Sequence, residues 1–251
     1  MEVFDWNKLD SFSKTQYFTA GTGISVGSFD GLHLGHRLLL EKLVSSCKSK
    51  GINPGLITFS RPLPAIKHSD DYTGDISTLA QRLRFFEQLG IAFVIVVDFD
   101  QTFASMKGTD FLSLLHQKLN MKLLAEGIDF RCGYKGATDT QAIKYWAEQC
   151  GVEYCFVDPV YYTEPDGTEE RISSSYIRKM INKGFFTRVS ELLARPYEID
   201  IEEIKKLGKS NQVLPPDGFY QTTTEKGEYF RLKIEGGKVC ELPECQDLLF
   251  T

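Results

Sequence analysis

The sequence predicts an α/β fold: a parallel sheet with helices on both faces, followed by a small β-rich tail. Three observations predict it. Short apolar runs alternate with amphipathic ones from about residue 23 to residue 160, a repeated strand–helix pattern. The run IAFVIVVDF (91–99) is apolar almost throughout, as in a strand buried on both faces. Beyond residue 200 the chain changes to alternating β-branched and aromatic residues broken by turn signals.

The elements follow in order. GISVG (23–27) reads as a first short strand. HRLLLEKLVSSCKSKG (36–51) has helical spacing and ends in lysines and a glycine, as helix C-termini do. PGLITF (54–59) is a second strand. STLAQRLRFFEQLG (77–90) opens on a serine cap and closes on Gly90 around a helix. After strand 91–99 come a helix at 109–120, a strand at 121–127, a helix at 138–151 and a strand at 152–160. Residues 160–173 read as a hairpin around Pro165-Asp166-Gly167. Two short helices follow, in SSSYIRKMINKG and FTRVSELLAR. Residues 216–244 hold at most three short strands, too few to stand alone.

Composition bounds the function. The 251 residues are 42% hydrophobic and 25% charged, with a net charge of −5. An acidic chain lacks the basic footprint of a nucleic-acid binder. No run reaches the roughly 18 apolar residues of a membrane span. The start MEVFDWNKLD lacks the pattern of a secretory signal, so the expected location is the cytoplasm. The six scattered cysteines then read as free thiols.

The chain has four histidines, and His33 and His36 stand together in GSFDGLHLGH (27–36). That stretch follows the first strand, where open α/β sheets bind ligands. Gly27, Gly31 and Gly35 let backbone approach a ligand closely. The helix that begins near His36 offers free N–H groups and a positive dipole end to an anion. Residues three apart share a helix face, so both imidazoles can donate to phosphate oxygens. Two alternatives remain at this point: a zinc pair lacking further ligands beyond Asp30, or one packed and one solvated histidine. His68 and His116 read as exposed.

GSFDGLHLGH resembles the GxFDGxHxGH signature of the bacterial FAD synthetases, in their FMN adenylyltransferase module within the HxGH nucleotidyltransferase superfamily. RISSSYIR (171–178) resembles the same family's R-[VI]-S-S-[ST]-x-I-R, and EGIDFRCG (126–133) its GxDFxFG loop. VVDFDQTFASMKGTDFL (96–112) and LLARPYEI (192–199) resemble further segments in family order, so the likeness spans about 24–199. It implies a Rossmann-like fold for 1–199, with 200–251 a shortened remnant of a riboflavin kinase barrel. The kinase's Gly-Phe-Pro-Thr-Ala-Asn is absent, so no riboflavin kinase activity is expected. Two other departures are Arg61 in place of a histidine and Cys132 in place of an aromatic.

The resemblance implies transfer of AMP from ATP to FMN, giving FAD and pyrophosphate with Mg²⁺. His33 and His36 would meet the phosphates. Gly27, Ser28, Phe29, Asp30, Gly31 and Gly35 would shape the nucleotide turn. Ser174, Ser175 and Arg178, with Ser173 and Arg171, would hold the triphosphate from another side. Asp129 and Phe130 would take the flavin side, with Asp129 also a candidate metal ligand. Neither nucleic acid nor membrane is an expected partner, and a monomer is favoured. A transferase for another phosphate or flavin analogue, and a non-catalytic binder, stay open as alternatives.

Overall fold

The computed structural model describes residues 1–12, 15–63 and 72–250. Among them the chain forms two compact units. The first comprises residues 1–28, 36–63 and 83–159. The second comprises 29–35, 72–82 and 160–250. Compactness therefore groups the chain differently from the sequence division at 199/200.

The first unit is built on a parallel sheet. Its strands are β1 (Glu2–Asp5), β2 (Thr22–Val26), β3 (Asn53–Phe59), β4 (Phe93–Val97), β5 (Met121–Gly127) and β6 (Glu153–Val157). The order is β1-β4-β3-β2-β5-β6, with every neighbouring pair parallel. Strand β1 has no counterpart in the sequence reading. It is a four-residue, mostly exposed strand on the sheet edge, too short and too polar to show a period.

Helices α1 (Leu34–Lys50), α2 (Leu79–Gln88), α3 (Gly108–Leu119) and α4 (Thr140–Cys150) alternate with these strands. Helix α1 starts two residues before His36, within the usual uncertainty of helix ends. Neighbouring residues of a strand point to opposite faces. At Gly23 a Cβ would lie 2.3 Å from Cys47 Sγ and 3.1 Å from Leu43, both on α1. The next residue, Ile24, shares a buried cluster with Leu112, Leu115 and Ile143 of α3 and α4. Helices thus cover both faces. Asp139 caps α4 through a 3.0 Å bond from Ala142 N, and Gly151 ends it in the left-handed region.

The second unit has its own core, in which Ile177, Val189, Leu192, Tyr197, Val213 and Phe250 are buried. A hairpin of β7 (Tyr161–Thr163) and β8 (Glu169–Arg171) turns at Gly167, as expected. Helices α5 (Ser174–Ile181) and α6 (Phe186–Leu193) follow it. Helix α7 (Ile201–Leu207) is new relative to the sequence reading.

The tail is a sheet. Residues 216–244 hold three short strands, as read from the sequence, and two further strands, one on either side in the chain, complete a five-stranded antiparallel sheet. The strands are β9 (Glu198–Asp200), β10 (Gly218–Thr224), β11 (Tyr229–Glu235), β12 (Lys238–Val239) and β13 (Asp247–Phe250), in the order β12-β11-β10-β13-β9. Strands β9, β12 and β13 have two to four residues, below the length at which alternation can be read. They hold because β12 pairs with β11, β13 with β10 and β9 with β13, over a buried face that includes Leu232, Ile234 and Leu248.

Buried amides tie segment 75–81 to this sheet. Gln212 donates to Ile76 O at 3.0 Å and Glu198 O at 2.8 Å, and accepts from Asp200 N at 2.7 Å. Gln81 donates to Asp247 at 2.7 Å, and Thr78 to Asp200 at 2.8 Å. All six cysteines are free thiols. His116 is half-buried, not exposed, with Nδ1 2.9 Å from Met121 O. His68 lies outside the described residues. No helix among the described residues is long and apolar enough to cross a membrane.

Candidate functional site

The histidine turn is strained and firmly held. Phe29, Gly31 and Leu32 all have positive φ, at 48°, 79° and 41°. Such values are costly for Phe and Leu and persist only where surroundings enforce them. The enforcement comes from Asp30, whose buried carboxylate accepts from Ile76 N at 2.9 Å and Ser77 N at 3.0 Å. It also accepts from the Arg178 guanidinium. Burial pushes the Asp30 carboxyl up, and Arg178 pulls it back toward the charged form. Gly31 carries its left-handed φ directly over Ile76, where a Cβ would come to 2.8 Å.

The second serine–arginine motif meets this turn at Asp30. Ser173 caps α5, accepting from Tyr176 N at 3.2 Å. Ser174 Oγ donates to Asp30 O at 2.9 Å. Arg178 donates to the Asp30 carboxylate and, through Nε, to Gly74 O at 2.8 Å, and lies 4.8 Å from the Tyr72 ring centre. Its guanidinium is almost wholly buried in these contacts. Ser175 and Arg171 are exposed. The hairpin that carries Arg171 is pinned by Arg188, which donates to both Glu164 oxygens at 2.6 and 2.5 Å, and by Tyr176, which donates to the same carboxylate.

His33 is buried, one residue before α1 in the chain. A Cβ on Gly35 would lie 3.3 Å from its ring, so the glycine between the histidines leaves room for the imidazole. Burial, then Arg171 and Arg195, lower its pKa from 6.5 to about 3. His33 is therefore neutral near pH 7 and donates one N–H, not two. His36 is half-buried in the first turn of α1.

Arg195 is a member of this group that the sequence analysis did not name. Its guanidinium donates to Gly31 O at 2.8 Å and Leu193 O at 3.2 Å. It stands in LLARPY, read above only as a segment of likeness. The available signal was an arginine fixed by the helix end before it and Pro196 after it.

In the first unit, Gly27 N donates to Ile57 O at 3.0 Å, and Ser28 Oγ accepts from Leu63 N at 3.1 Å. Asp129 is exposed and Phe130 partly buried in the turn after β5, where Phe130 N meets Gly127 O at 3.0 Å. Cys132 is turned into the core: its Sγ lies 3.0 Å from where Gly108 would carry a Cβ. Its departure from the aromatic pattern is a packing change. Arg61 is half-buried in the loop after β3. Among the described residues no group of three or more His, Cys, Asp or Glu side chains is placed to hold a metal ion. Asp129 offers an exposed carboxylate, the hard oxygen donor that a Mg²⁺ ion takes.

Residues 15–176 match the family described as FAD synthetase. The bifunctional riboflavin kinase/FMN adenylyltransferase of Escherichia coli K12 is 30% identical over 181 residues, covering 71% of this chain and 56% of that protein. The chain thus spans just over half the length of such relatives. The FAD synthetase of Listeria monocytogenes is 27% identical, covering 79% of this chain and 80% of its own. Among solved structures, a protein from Streptococcus pneumoniae titled a macrolide-efflux protein superposes with a TM-score of 0.71 over 92% of both chains. At 20% identity that likeness speaks for the fold alone.

Proposed function

Because the chain belongs to the FAD synthetase family, we propose that it is an FMN adenylyltransferase. A phosphate oxygen of FMN attacks the α-phosphorus of ATP. The bond to the β-phosphate oxygen breaks, and FAD and pyrophosphate leave. Riboflavin kinase activity is not part of the proposal. The Listeria relative, which this chain covers at 80% of its length, is named for FAD synthesis alone.

The observation that carries the proposal is the meeting of the two motifs at Asp30, through Ser174 Oγ and the Arg178 guanidinium. A histidine turn and a serine-rich helix start held together form one anion-binding edge. His33 gives its N–H to a phosphate oxygen, and Arg171 and Arg195 supply positive charge beside it. His36, one helical turn on, donates as charge builds on the leaving pyrophosphate. Ser173 and Ser175 complete the helix start, and Phe29 and Gly35 shape the turn. Arg178 acts through Asp30 as a positioning residue. Asp129 and Phe130 are assigned to FMN by their motif. Mg²⁺, with Asp129 as the candidate ligand from this chain, would supply neutralisation of triphosphate charge. The reaction is assigned to the cytoplasm, without nucleic acid or membrane as partners.

The test is incubation with FMN, ATP and Mg²⁺, read by chromatography for FAD and by pyrophosphate release. Riboflavin with ATP serves as the parallel reaction. The proposal expects FAD from FMN and no FMN from riboflavin; absence of FAD overturns it.

A further inference from the structure

The sheet of the first unit has its switch point between β2 and β5: the chain leaves β2 for β3 on one side and later places β5 on the other. Open α/β sheets bind ligands at the strand ends beside such a point. The β2–β5 pairing ends early. Its register runs Thr22↔Met121, Gly23↔Leu123 and Ile24↔Leu124, with a shift after Thr22 and nothing beyond. Yet β2 stays paired to β3 through Val26↔Ile57, and β5 to β6 through Gly127↔Val157. The two central strands part at their carboxyl ends while each keeps its outer neighbour.

A side chain stands where the missing rungs would be. Val26 N donates to the Glu126 carboxyl at 2.6 Å. Glu126 is 2% exposed and makes no ion pair among the described residues. The groups facing it are the Val26 N–H, the buried Ser25 hydroxyl on the same strand, which forms no hydrogen bond of standard geometry, and the Cys132 thiol. Burial pushes the Glu126 carboxyl well above its usual range, with the Val26 and Ser25 contacts opposing only in part. The same site pushes Cys132 up to about 12, by burial first and by Glu126 second. A buried carboxyl without a cation remains protonated.

We propose that Glu126 is a positioning residue for the transfer, a carboxyl spacer that replaces the missing rungs and holds the β2–β5 crevice open for a nucleoside triphosphate. The inference rests on the function proposed above. It places Val26, at the end of β2, by a side chain rather than by the sheet. Ionisation of Glu126 would put an uncompensated negative charge at a crevice meant for a polyanion.

The experiment compares wild type, Glu126→Gln and Glu126→Val. Glu126→Val leaves the Val26 N–H without its acceptor, and KM for ATP rises at least about tenfold, with kcat less affected. Glu126→Gln keeps the acceptor and restores KM at pH 7. The wild type loses kcat/KM for ATP on the alkaline side, and Glu126→Gln removes that limb. A valine variant with unchanged KM, or a glutamine variant with the wild-type alkaline limb, overturns the proposal.

Urea unfolding separates this from failure of the functional reading, since it needs no turnover. With its folded pKa raised, Glu126 binds a proton in the native state that the unfolded chain releases above about pH 4.5. Stability is therefore lost as pH rises toward the folded pKa. Between the unfolded pKa and the raised folded one, the unfolding constant of wild type relative to Glu126→Gln grows by up to tenfold per pH unit. A ratio flat with pH overturns the buried neutral acid, whatever the enzyme makes.

Discussion

Arg178 reaches 148 residues back along the chain to the carboxylate of Asp30. Both side chains are buried, and Asp30 also caps two backbone N–H groups of segment 76–77. Removing one partner leaves a buried charge without its counterpart. Asp30→Ala is expected to destabilise the protein by about 3–5 kcal/mol, read from urea unfolding at pH 7. Replacing both, as Asp30→Ala with Arg178→Met, is expected to cost less than the two single changes added. Additive effects would show that the pair does not act as a unit.

His33 titrates near pH 3 in the folded state and near 6.5 when unfolded. Below pH 6.5 the unfolded chain binds a proton that the native state refuses, so stability falls as pH drops from 6.5 toward 3. His33→Gln removes this contribution. The stability of wild type relative to the variant should therefore decline between pH 7 and pH 4. A difference constant with pH would mean that His33 is not held neutral.

Gly35→Ala places a methyl 3.3 Å from the His33 ring. His33 is buried, so its ring must give by a few tenths of an ångström to admit the methyl. FAD formation should fall at least about tenfold, because small misplacements of a catalytic group are costly. His36→Ala should lower turnover by about 10²–10³ while the fold survives, on the scale of a lost transition-state donor. Near-normal rates in His36→Ala would remove that residue from the mechanism.

Ala194 ends α6 in the left-handed region, at φ 53°. Arg195 N closes the helix by bonding Ser190 O at 3.1 Å, a pattern that favours glycine at this position. The family segment that LLARPY resembles has glycine there. Ala194→Gly is expected to stabilise the protein by about 0.5–1 kcal/mol, with Tm as the measurement. A lower Tm would show that Ala194 is not strained.

Much of the site could be read in the sequence because its motifs are local. The turn at 27–36 and the helix start at 173–178 each occupy one short run, and their chemistry follows from glycine spacing, histidines and serines. The partners of those residues were less legible. Arg178 read as a phosphate fork, but its burial against Asp30 depends on the Gly74 and Tyr72 neighbourhood, which no spacing rule links to it. Arg195 was visible as a residue and invisible as a contact of Gly31, 164 positions away. In the fold, long apolar strands such as β4 were legible, whereas β1, β9 and β13 exist through pairing. Glu126 sits in a stretch whose motif begins one residue later, so nothing local marked its carboxyl as buried.

The arrangement of the second unit has a consequence for biosynthesis. Residues 29–35 emerge from the ribosome early, yet they share a compact unit with strands that end at Phe250. Segment 75–81, whose amides grip Asp30, is itself anchored by Gln212 and Asp247. A nascent chain paused after the first parallel sheet would hold both histidines and still lack the scaffold that fixes their turn. Catalytic competence should then appear only after the strand ending at Phe250 has been made.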